Sequence, residues 1–315
     1  MSLEVSIIIV SYNTKEILLN CLQSIRQWSS PRLVGEIIVV DNASTDGSAE
    51  AVENKFPNVR LLRNAANGGF AKANNQGIHA APGKYLLLLN PDTLFIEEAI
   101  TPVFEFMEKH PEAGIAGCKI LNQDGSQQPS YFAFNNLAMI AWTALFLNRL
   151  APLNWIDGKW VWRHKNTQTP FRVQKLLGAY LFVRREVFEQ VGYFDENYFL
   201  FSEEEDFCYR VFKQGWAIYY FPETKIIHLG GQSTAGNKPQ ALLYANESMI
   251  RFFRKHYGIP TQLLFRTIWL LALLLRMGLM LLSASSQRGE MIKAYGRAMA
   301  ALFSAVDVLK LNRTG

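Results

Sequence analysis

Four short polar clusters each follow an apolar run, and their residue types suit the binding of a charged, phosphorylated ligand. Ser11, Tyr12 and Asn13 follow the run Val5–Val10. Asp41 and Asn42, with Ser44 and Asp46, follow "EIIVV" at 36–40. Asn67, Gly68 and Gly69 come after "VRLLRN" (59–64), and "KYLLLLN" (84–90) ends on Asn90 before Pro91 and Asp92. Amides and carboxylates supply hydrogen bonds, and glycine lets a ligand approach the backbone. In open parallel sheets ligands bind beyond the carboxyl ends of the strands, so the clusters can converge on one edge, as a nucleotide site requires. Each cluster also has a plainer reading as turn formers and helix caps. Asp46 is read as a cap, Asp41 stays open between cap and ligand contact, and Gly68-Gly69 alone marks a tight turn. Neither GxGxxG nor GxxxxGK[ST] occurs, so dinucleotide and P-loop readings lose their main support.

These residues need a scaffold. Val5–Val10, 36–42, 59–64, 84–90 and "GIAGCKIL" (114–121) read as strands, the first as one buried on both faces. Helices fall between them: from a Thr14 cap to about Trp28, from an Asp46 cap to about Phe56, and near 70–80 and 95–109. That alternation predicts a parallel sheet with helices on both faces. From 126 to 170 it stops; four of the seven tryptophans (Trp142, Trp155, Trp160 and Trp162) lie here, and the segment reads as an insertion or active-site flap. Ordered elements resume at 175–188, with a helix near 203–214 and strands near 217–221 and 225–229. Beyond about 240 the chain reads as helical.

At 315 residues with 49% hydrophobic and 19% charged, the chain is long enough for a sizeable core and is not a disordered sequence. The net charge of +5 is uneven: residues 251–315 carry ten Lys/Arg against two Asp/Glu, and the rest is slightly acidic. No basic–aromatic repeat appears, so no nucleic-acid partner is expected. Cys21, Cys118 and Cys208 are odd in number and widely spaced, which fits buried thiols in a reducing compartment better than a disulfide framework or a zinc site. No signal peptide is expected at the N-terminus: Glu4 interrupts it, no basic stretch precedes it, and the run Val5–Val10 is only strand-length.

Six segments in order resemble one family. "VSIIIVSYN" (5–13), "IIVVDNASTDGS" (37–48), "NGGFAKANNQGI" (67–78), "LLLLNPDT" (86–93), "LLGAYLFVRREVFEQVGYFDENYFLFSEEEDFCYRVFKQGW" (176–216) and "IIHLGGQST" (226–234) are similar to family 2 glycosyltransferases, in the bacterial rhamnosyltransferase-like branch. The resemblance covers about 4–258. It implies an α/β GT-A fold: a Rossmann-like, mainly parallel sheet flanked by helices, in a catalytic domain over 1–258. It also implies site roles. Tyr12 would lie against the nucleotide base, with Asp41 accepting from a pyrimidine N3–H. Ser11, Asn13, Asn67, Gly68, Gly69, Asn74, Asn90 and Gly178 would complete the nucleotide-sugar set. Asp92 would hold a divalent cation, Mg²⁺ or Mn²⁺, with His228 completing the site. Asn90 replaces the first carboxylate of the common DxD form; NPD is a usual spelling in this branch. In "SEEED" (202–206), aligned on "DFCYR", Glu203 matches the first Glu of the family's Glu-Asp-x-Asp and Glu204 takes the place of the Asp. Glu204 is the expected base and Glu203 the second candidate, because crowded carboxylates raise one another's pKa. On residues alone the cluster also reads as a solvated acidic helix start. Asp206 is expected to hold Arg210 across one turn.

The last segment, 259–315, reads as a basic, apolar helical tail. Arg266 and Arg276 interrupt the apolar run 261–285, so an interfacial helix, or a re-entrant hairpin with 290–311, fits better than a span. A helix pair buried against protein is the other reading. The whole predicts a membrane-associated enzyme on the cytoplasmic face of the cell membrane. It would move a sugar, L-rhamnose from its dTDP form by resemblance, to a growing glycan or a polyprenyl-diphosphate-linked acceptor with inversion. The rival is a non-catalytic nucleotide-sugar-binding scaffold subunit of a polysaccharide complex.

Overall fold

The structure, a computed structural model, describes residues 4–144, 167–231, 238–282 and 288–303. The chain packs as two compact units. One comprises Met1–Phe134, Asn166–Phe199 and Glu203–Ser233; the other comprises Asn135–Lys165, Leu200–Ser202 and Thr234–Gly315.

The first unit is built on a mixed sheet. Its strands are β1 (Val5–Ser11), β2 (Val34–Asp41), β3 (Arg60–Arg63), β4 (Tyr85–Leu89), β5 (Thr93–Phe95), β6 (Ala113–Leu121), β8 (Phe171–Val173), β10 (Tyr180–Arg184) and β11 (Ala217–His228), in the order β3-β2-β1-β4-β10-β6-β11-β5, with β8 beside β11. β7 (Tyr131–Phe132) and β9 (Lys175–Leu176) form a separate antiparallel pair. The helices are α1 (Lys15–Trp28), α2 (Ser48–Lys55), α3 (Phe70–Ala80), α4 (Thr101–Lys109), α6 (Arg185–Val191) and α7 (Glu203–Lys213). All seven residues of β1 are buried, as its β-branched run requires. In α1, Leu18, Leu22 and Ile25 recur at helical spacing and join Ile7, Ile9, Val39, Leu87 and Phe182 in the core. Cys21, Cys118 and Cys208 are buried and free, as expected.

Three expectations needed correction. Thr14 makes no side-chain cap; Asp46 accepts from the Lys15 amide (2.8 Å) as well as the Ser48 amide (3.0 Å), so one carboxylate caps both α1 and α2. The helix expected from 95 starts at Thr101, because 93–95 form β5, which pairs antiparallel with β11 and sets Thr93 opposite His228. The two strands expected at 217–221 and 225–229 are one strand, with an irregularity between Phe221 and Lys225. In the aromatic segment 126–170, Tyr131 packs on Phe171 and Tyr220, so its start belongs to the core of this unit. Residues 145–166, with Trp155, Trp160 and Trp162, lie outside the described residues.

The second unit is helical: α5 (Leu137–Ala144), α8 (Lys238–His256), α9 (Ile259–Leu281) and α10 (Arg288–Phe303). Asn246, buried in α8, donates to the Ala298 carbonyl in α10 (3.2 Å) and accepts from the Trp269 indole N–H in α9, tying three helices together. Phe253 stacks on Phe265 with centroids 4.2 Å apart. α8 therefore packs with the tail helices, ahead of the 258/259 division drawn from the motifs. α9 has 23 residues and is long and apolar enough to cross a membrane by length and composition, which the interrupted run had not suggested. Phe265, Ala272 and Leu273 face the unit's interior; Leu264, Leu271, Leu274, Leu275 and Leu282 are exposed.

Candidate active site

The carboxyl ends of β1, β2 and β4 lie along one sheet edge, since Ser11 is in register with Asp41 and Ile9 with Leu89. At that edge Ser11 is buried and pairs its hydroxyl with Thr14 (3.0 Å). Tyr12 leaves its ring 39% exposed, available to a flat ligand. Asn13 adopts φ +52°, a conformation Asn tolerates, and its side-chain oxygen accepts from the Thr45 amide (2.8 Å). Asp41 is buried. Its Oδ2 accepts from the Ser44 amide (3.0 Å), while Oδ1 is buried with no hydrogen-bond partner. A buried carboxylate oxygen without a donor is costly, and a ligand N–H would satisfy it.

Asn42, next in line, shapes the glycine loop. Its amide nitrogen donates to Asn67 Oδ1 (2.8 Å) and its oxygen accepts from the Gly68 amide (3.1 Å). Asn67 Oδ1 also accepts from the Gly69 amide (3.0 Å), so its described bonds tie the loop to Asn42 and to itself. Gly69 has φ +91°, and a Cβ there would meet the Phe199 carbonyl oxygen at 2.8 Å; only glycine fits. Asn74 is buried in α3 and donates to the Phe70 carbonyl (3.0 Å), a structural bond. Both residues expected near the ligand also bond within the protein, Asn67 in the glycine loop and Asn74 within α3.

β4 leads to the second cluster. Asp92 Oδ1 lies 3.2 Å from His228 Nε2, brought there by the β5–β11 pairing. Asn90 Nδ2 lies 3.5 Å from the same nitrogen, and Asn90 Oδ1 is buried with no partner. Among the described residues no group of three His, Cys, Asp or Glu side chains can hold a metal ion. A carboxylate, an imidazole nitrogen and an orphaned amide oxygen nevertheless form a mixed donor set. It fits a hard divalent cation whose remaining ligands are phosphate oxygens and water.

The Asn90 amide donates to the Ala179 carbonyl (3.1 Å), and this joins the second cluster to the third. A Cβ at Gly178 would lie 3.5 Å from Glu204 Cγ, so the bare glycine sits against the acidic start of α7. Burial, the largest influence on both, pushes the carboxyls of Glu203 and Glu204 above their ordinary range, Glu203 further. The neighbouring Glu204 charge raises Glu203 further, and the Lys175 ammonium holds Glu204 down. Of the two, Glu203 is therefore held more strongly toward its neutral form. Glu205 pairs with Lys175 (2.8 Å), and Asp206 accepts from Arg210 Nε (2.9 Å) as expected. Arg210 reaches on to the Val191 and Tyr193 carbonyls, fixing α7 to the chain after α6. The acidic helix start is packed rather than solvated, so its plainer reading fails here. Gln128, whose Oε1 is 2.7 Å from His228 Nδ1, was not among the expected site residues; nothing in its polar turn marks it in sequence.

Comparison with known proteins gives this geometry its setting. The profile described as "Glycosyl transferase family 2" matches residues 6–191. An N-acetylglucosaminyl-diphospho-decaprenol L-rhamnosyltransferase of Mycobacterium tuberculosis is 32% identical over 232 residues, 69% of this chain and 73% of that protein. The low-salt glycan biosynthesis hexosyltransferase Agl10 of Haloferax volcanii is 26% identical over 66% of this chain and 61% of its own. Among solved structures, the mannosyltransferase PcManGT of Pyrobaculum calidifontis with GDP-Man and Mn²⁺ superposes with a TM-score of 0.55 at 17% identity, over 99% of this chain and 79% of that one. GalNAc-T7 with UDP, GalNAc and Mn²⁺ gives 0.58 at 17% identity, over 80% of this chain and 48% of that one. The last two bear on the fold alone, which is GT-A. A family profile matching more than half of the chain, and a relative sharing about a third of the aligned positions, establish that this protein belongs to glycosyl transferase family 2 and is a glycosyltransferase.

Proposed function

We propose that the protein transfers L-rhamnose from dTDP-L-rhamnose to a hydroxyl of a polyprenyl-diphosphate-linked or growing cell-surface glycan, with inversion. One observation carries the mechanism: Asn90 joins the Asp92–His228 pair to Glu204 through the Ala179 carbonyl and Gly178. The mycobacterial relative's name supports the sugar and the acceptor class.

In this reading Tyr12 covers the base, Asp41 Oδ1 accepts a base N–H, and the Gly68-Gly69 backbone lies along the ribose and phosphates. Ser11, Asn13, Asn67 and Asn74 hold these groups in place. Asp92, His228 and Asn90 Oδ1 would hold Mg²⁺ or Mn²⁺, which when bound neutralises the departing diphosphate. Glu204 takes the acceptor hydroxyl's proton as that oxygen attacks the anomeric carbon. The bond from that carbon to the phosphate oxygen breaks, and a single displacement inverts the centre. Glu203, protonated, donates to Glu204 and keeps it ionised.

The same reading puts the protein on the cytoplasmic face of the membrane. On an ideal helix at about 100° per residue, the exposed Leu264, Leu271 and Leu275 share one face of α9, with Arg266 and Arg276 on the other side. Arg276 lies over the Trp269 ring at 5.9 Å. A one-sided leucine face with basic neighbours suits a helix lying in the interface of an anionic bilayer.

The test is a donor panel assayed with a polyprenyl-diphosphate-linked N-acetylglucosamine acceptor, followed by NMR of the new linkage. dTDP-L-rhamnose should be used in preference to other nucleotide sugars, and the anomeric configuration should be inverted. Preference for another donor ends the rhamnose assignment; retained configuration ends the single displacement.

A further inference from the structure

Behind His228 runs an ordered series of side-chain hydrogen bonds. His228 Nδ1 lies 2.7 Å from Gln128 Oε1, and Gln128 Nε2 donates to Asn122 Oδ1 at 2.9 Å. Asn122 Nδ2 donates to Ser126 Oγ at 2.9 Å, and the Ser126 hydroxyl donates to Asp124 Oδ1 at 2.6 Å. The backbone holds the series in place. Gly125, at φ +81°, sits in the tight turn, the Asn122 amide bonds the Ser126 carbonyl (2.8 Å), and the Gln128 amide bonds Ile120 (2.9 Å).

The series has one direction. Hydrogen bonds from Ser126 hold the Asp124 carboxyl below its ordinary range, so Asp124 only accepts. Ser126 has one hydroxyl proton and spends it on Asp124. It must then accept from the amide nitrogen of Asn122, which turns the Asn122 oxygen to Gln128 and the Gln128 oxygen to His228. Reversed, the Ser126 proton would point to Asn122, leaving no hydrogen between the Ser126 and Asp124 oxygens 2.6 Å apart.

We propose that the 122–128 turn is a relay that fixes a proton on His228 Nδ1 and so presents Nε2 to Asp92 and Asn90 as the ligating nitrogen. Gln128 is its positioning residue. An Nε2 lone pair 3.2 Å from a carboxylate oxygen is repulsive alone and favourable around a cation. Outer hydrogen bonds of this kind commonly fix the tautomer of a metal-binding histidine. The cation part rests on the reading of Asp92 and His228 given above; the tautomer part stands independently.

The experiment uses the full chain labelled with ¹⁵N-histidine at about pH 8, above the ordinary histidine range near 6.5. His228 signals are assigned by their loss in His228→Asn. The wild type should show Nδ1–H. Gln128→Leu should lose that preference, and Gln128→Glu, whose carboxylate still accepts, should keep it. Mn²⁺ titration followed by EPR should show binding weakened about 10–100-fold in Gln128→Leu and retained in Gln128→Glu. Nε2–H in the wild type, or an unchanged tautomer in Gln128→Leu, overturns the relay. A wild type that shows Nδ1–H but binds no Mn²⁺ upholds the relay and ends the cation reading.

Discussion

The proposed base rests on two neighbouring glutamates at the start of α7. Burial raises both carboxyls, Glu203 further, and in the proposed mechanism Glu203 donates to Glu204. A base must be ionised, so the acid limb of kcat should lie above the ordinary glutamate range near 4.3. Glu203→Leu, which removes the donated bond, should move that limb further up; Glu203→Gln, which can still donate, should leave it in place. A limb at the ordinary position in the wild type would contradict the assignment. Stability follows the same sign. A carboxyl raised in the folded state stabilises below its unfolded pKa and loses that contribution as pH rises through the folded value. Glu203→Gln should therefore melt higher than wild type at pH 9 but not at pH 4, by calorimetry. At the other cluster, Asp92→Asn removes the charged donor beside His228. Transfer should fall about 10²–10³-fold and stop responding to Mn²⁺. Full wild-type activity in EDTA would count against a cation role.

At the scale of elements, Gly69 is the tightest constraint on the site. Its φ of +91° and the Phe199 oxygen leave no space for a Cβ, and the Phe70 amide bonds that same oxygen (2.7 Å). Gly69→Ala should cost about 1–3 kcal/mol by denaturant titration and weaken nucleotide binding; unchanged binding would separate the loop from the ligand. The strands at 5–10 and 84–90 were legible because burial on both faces leaves an unbroken apolar run. β5 was not, since three residues carry no period and the strand exists only through β11, more than a hundred residues away. The long strand β11 was read as two because Pro222, Glu223 and Thr224 interrupt its pattern at the irregularity. The same limit applies in the site. "SEEED" announced crowded carboxylates, but the packing that separates Glu203 from Glu204 depends on Lys175 and Gly178, on other elements. The bonds that Asn42 and Gly69 make to Asn67 likewise cannot be read from sequence.

At the scale of the molecule, the first unit holds the Asp92–His228 and Glu203–Glu204 clusters, and a helical second unit carries an exposed leucine face. Burying that face in lipid would stabilise association at roughly 25 cal/mol per Å² of apolar surface, a term that salt does not screen. Full-length protein should float with anionic vesicles, and 0.5 M salt, at a Debye length of about 4 Å, should release only part of it. Leu271→Glu with Leu275→Glu should stay with the soluble fraction and keep nucleotide binding. Equal flotation of both proteins would assign the face to protein contacts instead. Glu204 as the base of a sugar transfer requires that release of nucleotide depend on an acceptor hydroxyl. That role is tested most directly by release of nucleotide diphosphate from dTDP-L-rhamnose, with and without a polyprenyl-diphosphate-linked acceptor, in wild type and Glu204→Gln. Acceptor-dependent release by the wild type, reduced about 10²–10⁴-fold in the variant with donor affinity unchanged, is expected. Near-normal transfer by Glu204→Gln would contradict it.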